Sequence, residues 1–448
     1  MAGKLSTNTK KLIKGILFTL LFLFVFRLGY YVTLPFIQTN ITQPVEFGFL
    51  NTLSGGALGN FSVLCLGISP YITTSIVIQL LQMDIIPTLK EWSEEGETGK
   101  RKINQLTRYI ALALAFVQSL VLTIGINVNY SNLYFVASDF VYDYKALLFI
   151  YLSLVATAGT AFTLWLAELI TTYGVGNGSS MIICAGILAS LPGMMKDLVN
   201  VYVVTEDTRN IFIFVFTLIM LILIVVFIVF MESAKRIIPV QYANRPAAAS
   251  FRGRSDSNIP VKLNSASVIP VIFASTLMSI PTTVVSLLGL TDTSKYAATS
   301  AAYKTGYWLN QIFNTTTSTS SGTTINVIGF TLYIVLIVLF SFFYSFLQMN
   351  PDKMAENLQK QNAFIPGVRP GEETSSFISR VLFKITMVGA TYLTIVAILP
   401  IVLTAIFNLP SSVRVGGTSL IIVVGVAIET AKQIKTASQE KQYRGFMG

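Results

Sequence analysis

The 448-residue chain is 53% hydrophobic and 12% charged, whereas about a quarter of the residues in soluble domains are charged. Its apolar residues form long runs with the charged residues between them, which excludes an ordinary soluble protein and predicts an integral membrane protein. Histidine is absent, and Cys65 and Cys184 lie singly in apolar stretches, so the composition offers no disulfide framework, no metal site and no imidazole base.

Ten apolar runs approach the length of about 20 residues that a helix needs to cross the hydrocarbon core. The first run follows a Lys-rich start and is long enough to span, so we expect a retained helix and not a cleaved signal. The second and fifth runs are short or interrupted. In chain order the predicted spans are residues 15–34, 66–84, 107–127, 146–167, 179–194, 210–231, 266–289, 326–348, 382–404 and 415–430.

The Lys and Arg residues between the spans predict the orientation of the chain. With the N-terminus inside, the inner segments carry 22 of these residues and the outer segments carry 6. Because positive loops stay on the cytoplasmic side, both termini are predicted to be cytoplasmic. The same bias accounts for most of the net charge of +10, so a nucleic-acid partner is not needed to explain it.

Ten spans divide into two sets of five, an N-terminal half of residues 1–194 and a C-terminal half of residues 195–448. Because five is odd, the halves enter the membrane from opposite sides, as in an inverted repeat. The second span of each half contains a proline in an apolar setting, Pro70 and Pro270. Since proline favours the first turn of a helix, we expect Ser69 to be the N-cap of a helix that begins at Pro70.

The segment 53–65, which precedes the second span, is rich in glycine and would make a poor spanning helix. Non-helical backbone at membrane depth is tolerated only where protein or a water-filled cavity surrounds it. We therefore expect residues 53–65 to line or fill a cavity. The alternative is an external loop that dips to the interface.

Charged residues are nearly absent from the spans, although ion-coupled carriers usually keep acidic groups there. Glu168 and Glu429 lie at the cytoplasmic ends of spans, and we expect Arg27 to extend to the inner interface. No carboxylate pair suits hydrolysis and no phosphate-binding loop is present, which argues against an enzyme. A partner must then supply any energy. A small-solute secondary transporter with an inverted repeat remains the alternative to a channel.

Two cytoplasmic loops are candidate docking surfaces for a large partner. Residues 232–265 carry six positive residues and two acids, and residues 349–380 include a run rich in proline and glycine. The alternative is that both loops are solvated connectors.

Six segments, in order and at compatible spacing over essentially the whole chain, resemble the SecY family, the core of the Sec translocon. They are GISPYITTSIVIQLL (67–81), EGETGKRK (95–102), YGVGNG (173–178), VIPVIFA (268–274), IPGVRPGE (365–372) and GGTSL (416–420). The resemblance implies an all-α membrane protein of ten helices in two inverted five-helix halves around a central pore. The function it implies is passive conduction of unfolded polypeptides, with lateral release of membrane segments.

The resemblance also implies site residues. The pore would narrow at an apolar ring of Ile68, Ile72, Ile183, Ile272 and Ile422. Ile68 and Ile72 share a face only if the helix persists across Ser69 and Pro70. The segment 53–65 would be a plug, and a lateral gate would open between the second and third helices on one side and the seventh and eighth on the other. The implied plug residues are Gly55, Gly56, Gly59 and Phe61, and the implied gate residues are Thr73, Gln79 and Ile280.

Arg369, Arg252 and Arg254 are the implied docking residues for a motor or a ribosome. The implied partners are the small membrane subunits SecE and SecG, the SecA motor ATPase, the ribosome, signal peptides with unfolded preproteins, and lipids, all at a bacterial cytoplasmic membrane. Ser179 stands where relatives usually carry Ile, which leaves open a housekeeping channel or an accessory paralogue.

Overall fold

A computed structural model of the chain describes residues 7–37, 48–82, 85–134, 145–203, 208–242, 257–288, 290, 300–319, 322–409 and 411–444. Every predicted span overlaps a helix in these ranges. The predicted spans of the first half lie in α1 (Thr7–Gly29), α3 (Ser69–Leu81), α5 (Glu97–Tyr134), α6 (Lys145–Tyr173) and α7 (Gly178–Tyr202), and two short helices, α2 (Gly48–Leu53) and α4 (Pro87–Glu94), lie between them.

The spans of the second half lie in five further helices. These are α8 (Thr208–Ser233), α9 (Ile269–Leu288), α11 (Val327–Gln348), α13 (Glu372–Phe407) and α14 (Ser411–Arg444), with α10 (Ala301–Phe313) and α12 (Pro351–Lys360) between them. Among the described residues, seven helical segments are able by length and composition to cross a membrane. Six lie within α1, α5, α6, α7, α8 and α13, and the seventh runs from α11 through α12, while α3 and α9 are shorter apolar helices.

Several helices extend beyond the apolar runs that predict them. Helix α5 begins at Glu97, ahead of the predicted residue 107, and α13 begins at Glu372, ahead of 382. Helix α7 continues past residue 194, the predicted end of the first half, to Tyr202. A helix outside the hydrocarbon core need not be apolar, so hydropathy marks only the membrane-embedded part of each helix.

The start of α3 differs from the predicted cap. The N-cap residue is Ile68 and no side chain caps the helix, so the prediction that Ser69 is the N-cap is wrong. Pro70 does lie in the first turn, where its missing N–H leaves no hydrogen bond unmade.

The two loops that were predicted to be cytoplasmic pair with each other in one small sheet. Strand β1 (Lys235–Tyr242) pairs antiparallel with β2 (Ser257–Lys262) on one side and with β5 (Ala363–Phe364) on the other. Ile238 lies opposite Ile259, and Gln241 lies opposite Phe364. An apolar cluster joins the strands to the start of α13, so the described parts of the two loops form one packed unit. A second sheet pairs β3 (Thr316–Thr319) with β4 (Gly322–Ile325).

Candidate functional site

The five predicted ring residues lie together in the largest buried cluster. Their side chains are between 1% and 8% exposed, and all five belong to a single apolar core. Helix α3 contributes two of them, and α7, α9 and α14 contribute one each, so both halves of the chain supply the cluster. The set is Ile68, Ile72, Ile183, Ile272 and Ile422.

Helical geometry persists across the proline of α3. The Ile72 N–H donates to the Ile68 carbonyl at 3.1 Å, which is the four-residue hydrogen bond of an α-helix. Ile68 and Ile72 therefore lie one turn apart on the same face of the helix.

The predicted plug segment folds against the helices of the ring. Helix α2, which ends at Leu53, packs on α7, α9 and α14, and the buried Leu53 side chain belongs to the same cluster as the five isoleucines. The turn that follows is closed by the side chain of Asn51, whose Oδ1 accepts from the Gly59 N–H at 2.8 Å. The start of the segment is thus held in a compact turn that packs against these helices.

A backbone approach between two glycines joins the plug segment to α7. Gly55 has φ +69°, and a Cβ atom added there would lie 3.0 Å from the Gly186 Cα atom. A Cβ atom added at Gly186 would lie 2.6 Å from the Leu53 carbonyl oxygen. Because both positions are glycine, the two backbones meet without side chains between them.

The far end of the plug segment is anchored elsewhere. Phe61 is fully buried, but it lies in a second apolar cluster with residues of α5 and α6. Backbone hydrogen bonds also tie this end to the chain that follows α1. The Leu34 N–H donates to the Phe61 carbonyl at 2.9 Å, and the Val63 N–H donates to the Val32 carbonyl at 2.8 Å.

Arg27 contacts the plug segment, and the prediction that it extends to the inner interface is wrong. It lies in the last turn of α1, at the end remote from the N-terminus. Its Nη1 donates to the Gly55 carbonyl at 3.0 Å, and its guanidinium lies over the Tyr30 ring at 4.0 Å. The sequence contained a signal for the contact between Arg27 and the tyrosine ring, because Tyr30 and Tyr31 follow Arg27 at helical spacing.

Of the three predicted gate residues, Gln79 joins two helices by a hydrogen bond. The Tyr344 hydroxyl on α11 donates to Gln79 Oε1 on α3 at 2.8 Å. Thr73 Oγ1 instead donates within its own helix, to the Ser69 carbonyl at 3.1 Å. Ile280 is half-buried on α9, which packs against both α3 and α5. Tyr344 was not predicted from the sequence, since a tyrosine in an apolar run has no pattern that identifies its partner.

Arg369 presents a cation at the surface, on a backbone that is held in place. Its side chain is 87% exposed, with Nη1 3.9 Å from Glu373 Oε1. Its carbonyl accepts from Thr374 Oγ1 at 2.8 Å, and its N–H donates to the Glu373 carboxylate at 3.3 Å. The other predicted docking residues, Arg252 and Arg254, lie outside the described residues. Within the described ranges, no group of three or more Cys, Asp or Glu side chains is arranged to hold a metal ion.

A family model and the similar proteins of known name agree on one family. The SecY family model matches residues 62–431. The protein translocase subunit SecY of Halalkalibacterium halodurans is 41% identical, over 97% of this chain and 96% of its own length. The protein of the same name from Staphylococcus carnosus is 42% identical, over 98% of each chain.

Solved structures of channels share the fold. A protein-conducting channel matches with a TM-score of 0.67 and 17% identity, over 95% of this chain and 93% of its own. Sec61 from a canine ribosome–channel complex of the endoplasmic reticulum matches with a TM-score of 0.63 and 16% identity, over 95% and 93%. A structure whose description says that the plug domain of SecY stabilises the closed channel and maintains a membrane seal matches with a TM-score of 0.66 and 16% identity, over 95% of this chain and 92% of its own. The predicted all-helical membrane fold is thereby confirmed.

The glycine contact predicts a difference between two glycines of the same helix. In Gly186→Ala the added methyl group would press on the Leu53 carbonyl, and overpacking of this kind costs about 1–3 kcal/mol. Gly193 on the same helix has no atom within 4 Å of an added Cβ, so Gly193→Ala is the matched control. We expect Gly186→Ala to lower Tm in thermal unfolding and Gly193→Ala to leave it unchanged or raised. Equal Tm values in the two variants would contradict the backbone contact.

Proposed function

Because this chain belongs to the SecY family, it is a protein-conducting channel subunit and not an enzyme, and we propose that unfolded polypeptides cross the membrane through the ring of five isoleucines. We call this constriction the isoleucine waist. The observation that carries the proposal is that five isoleucines, from four helices and both halves of the chain, all belong to one continuous buried apolar cluster. Family membership sets aside the alternative of a small-solute transporter.

An apolar waist suits this task physically. A narrow ring of branched aliphatic side chains dewets, and it blocks ions without a charged gate. The same side chains make no directional bonds, so they yield to a threading chain of any sequence. Conduction is passive in this account, and a partner supplies the energy.

We assign the plug to residues 53–65, together with the short helix α2 that precedes them. The support is the contact of α2 with α7, α9 and α14, which are three of the four helices that carry the ring. Displacement of this segment would remove its contacts with these helices and uncover the ring on that side.

We assign the lateral gate to the seam between α3 and α5 on one side and α9 and α11 on the other. The hydrogen bond between Gln79 and Tyr344 crosses this seam, and Thr73 and Ile280 lie on two of its helices. An apolar signal sequence that enters the pore would partition through the open seam into lipid.

The membrane setting and the partners complete the proposal. The charge bias supports a bacterial cytoplasmic membrane with both termini in the cytoplasm. Similar channels have been solved in complex with ribosomes, which supports a ribosome as a partner here. We further propose SecE and SecG as small membrane subunits and SecA as the motor, with the exposed Arg369 in the docking surface. The two halves would comprise residues 1–194 and 195–448.

The proposed isoleucine waist predicts that a wider ring lets ions through the resting channel. Replacing Ile72 and Ile272 together by Gly widens the ring, so we expect a higher resting ion conductance of purified channels in planar bilayers and export of weaker signal sequences. The matched control replaces two exposed isoleucines, Ile222 on α8 and Ile395 on α13, by Gly. Unchanged conductance and stringency in the ring variant would remove these residues from the waist.

The gate predicts an effect of one hydroxyl group. Tyr344→Phe removes the hydrogen bond to Gln79, worth about 1 kcal/mol, and so favours the open seam. We expect export of signal sequences that are too weakly apolar for the unmodified channel. Tyr333→Phe is the control, because Tyr333 shares a hydrogen bond with Ser275 of α9, on its own side of the seam. An equal effect of both variants would refute the hydrogen bond between Tyr344 and Gln79 as the contact that holds the seam closed.

The docking assignment predicts a loss of motor-driven export. We expect Arg369→Glu to reduce export by about tenfold, the scale of one charged contact across an interface, while the channel still assembles. Lys304→Glu reverses an exposed charge on α10, outside both candidate docking loops, and serves as the control. Export in vesicles with purified motor measures the effect, and normal export in Arg369→Glu would exclude Arg369 from the docking surface.

A further inference from the structure

Arg27 is a cation at the end of an apolar helix, and its polar contacts are made with the plug segment. Its guanidinium donates to the Gly55 carbonyl and lies 4.0 Å from the centre of the Tyr30 ring and 5.8 Å from that of Tyr31. Among the described residues, no ion pair joins it to a carboxylate. The carbonyl and the aromatic faces therefore stabilise this charge.

Tyr30 adds further contacts to the same segment. The Asn60 side-chain amide donates to the Tyr30 hydroxyl oxygen. A Cβ atom added at Gly56 would lie 3.3 Å from the Tyr30 ring, so the ring lies directly against the backbone of the plug segment. Arg27 and Tyr30, one helical turn apart, thus hold the plug segment near its start and near its end.

The next residues of the plug segment are attached in a different way. Residues 61–63 pair with residues 32–34 through backbone hydrogen bonds, with a β-bridge between Thr33 and Ser62. Phe61 is buried in the cluster with α5 and α6. This attachment depends on the backbone and on a deep apolar anchor, whereas the attachment of residues 55–60 to α1 depends on two side chains.

We propose that Arg27 is a positioning residue that latches the plug onto α1 in the closed channel, and that residues 61–63 are the hinge about which the plug swings. The inference rests on the proposed plug function of residues 53–65. Tyr30 orients the guanidinium and supplies the second contact. The latch is reversible because its central bond is to a peptide carbonyl, and an extended chain in the pore offers the same acceptor to Arg27. Insertion of a substrate therefore exchanges one carbonyl for another and does not leave the cation without a partner.

The latch is tested by the resting conductance of purified channels in planar bilayers. Arg27→Gln removes the cation and shortens the donor, so we expect the resting open fraction to rise on the order of tenfold, the factor that one charged hydrogen bond represents. Arg27→Lys keeps the charge and should restore part of the closure. Lys384→Gln, which neutralises an exposed cation of α13, is the control and should leave conductance unchanged.

Combination with a deletion of residues 54–60 separates a latch from a general structural role. The deleted channel should leak, and adding Arg27→Gln to it should change nothing, because the latch then has nothing to hold. Additional leak in the combined variant would overturn the latch, as would a normal resting conductance of Arg27→Gln beside a leaking deletion variant. In the second case the plug function stands. If the deletion variant itself does not leak, the plug function fails as well.

Tyr30→Phe gives an independent measurement that does not depend on the folding of the deletion variant. It keeps the aromatic ring and removes only the hydroxyl group that binds Asn60. We expect a smaller rise in resting conductance than in Arg27→Gln, and none when Tyr30→Phe is added to Asn60→Ala. A further rise in that double variant would overturn the contact between Tyr30 and Asn60 as part of the latch.

Discussion

In the function we propose, the closed channel depends on keeping water out of a waist that has no covalent or charged barrier. The five isoleucines proposed for this waist come from α3, α7, α9 and α14, and each is almost completely buried in a common apolar cluster. Dispersion contacts and the cost of wetting apolar surface hold this cluster together, and neither requires a particular partner. A seal of this kind re-forms after a chain has passed, whereas a seal made of salt bridges would leave unpaired charges at each opening.

Because the apolar contacts of this seal are weakly directional, the contacts around the seal determine which closed arrangement is favoured. The plug segment meets α7 through glycine backbones, which gives close contact with little apolar area. Polar contacts accompany the apolar cluster: Arg27 donates to the Gly55 carbonyl, and Tyr344, itself a buried member of the cluster, donates to Gln79. Single hydrogen bonds of this kind contribute about 1 kcal/mol each, and about twice that where one partner is charged. They bias an equilibrium without fixing it, which suits a channel that must open for a substrate and close again.

The sequence predicts the positions of the spanning helices well, because lipid imposes a length and a composition that no other fold shares. The expectation that residues 53–65 line or fill a cavity rests on their glycine content and stays a prediction. The role of the isoleucines came from the family resemblance, since a single Ile in an apolar run carries no sign of which way it faces. Two features were out of reach. Strands β1 and β5 pair across more than 100 residues of chain, and the partner of Tyr344 lies 265 residues away. The error at Ser69 arose because Ile68 already has near-helical backbone angles, with φ −98° and ψ 0°.

The most direct measurement of the central claim is site-specific photocrosslinking to a polypeptide stalled during translocation. A photoreactive residue would replace each of the five isoleucines in turn, and exposed lipid-facing positions such as Ile222 would serve as controls. The account predicts crosslinks from all five ring positions to the stalled chain and crosslinks from the controls to lipid. Ring positions that crosslink to lipid, or only to neighbouring helices, while the chain is stalled would contradict a pore through this cluster.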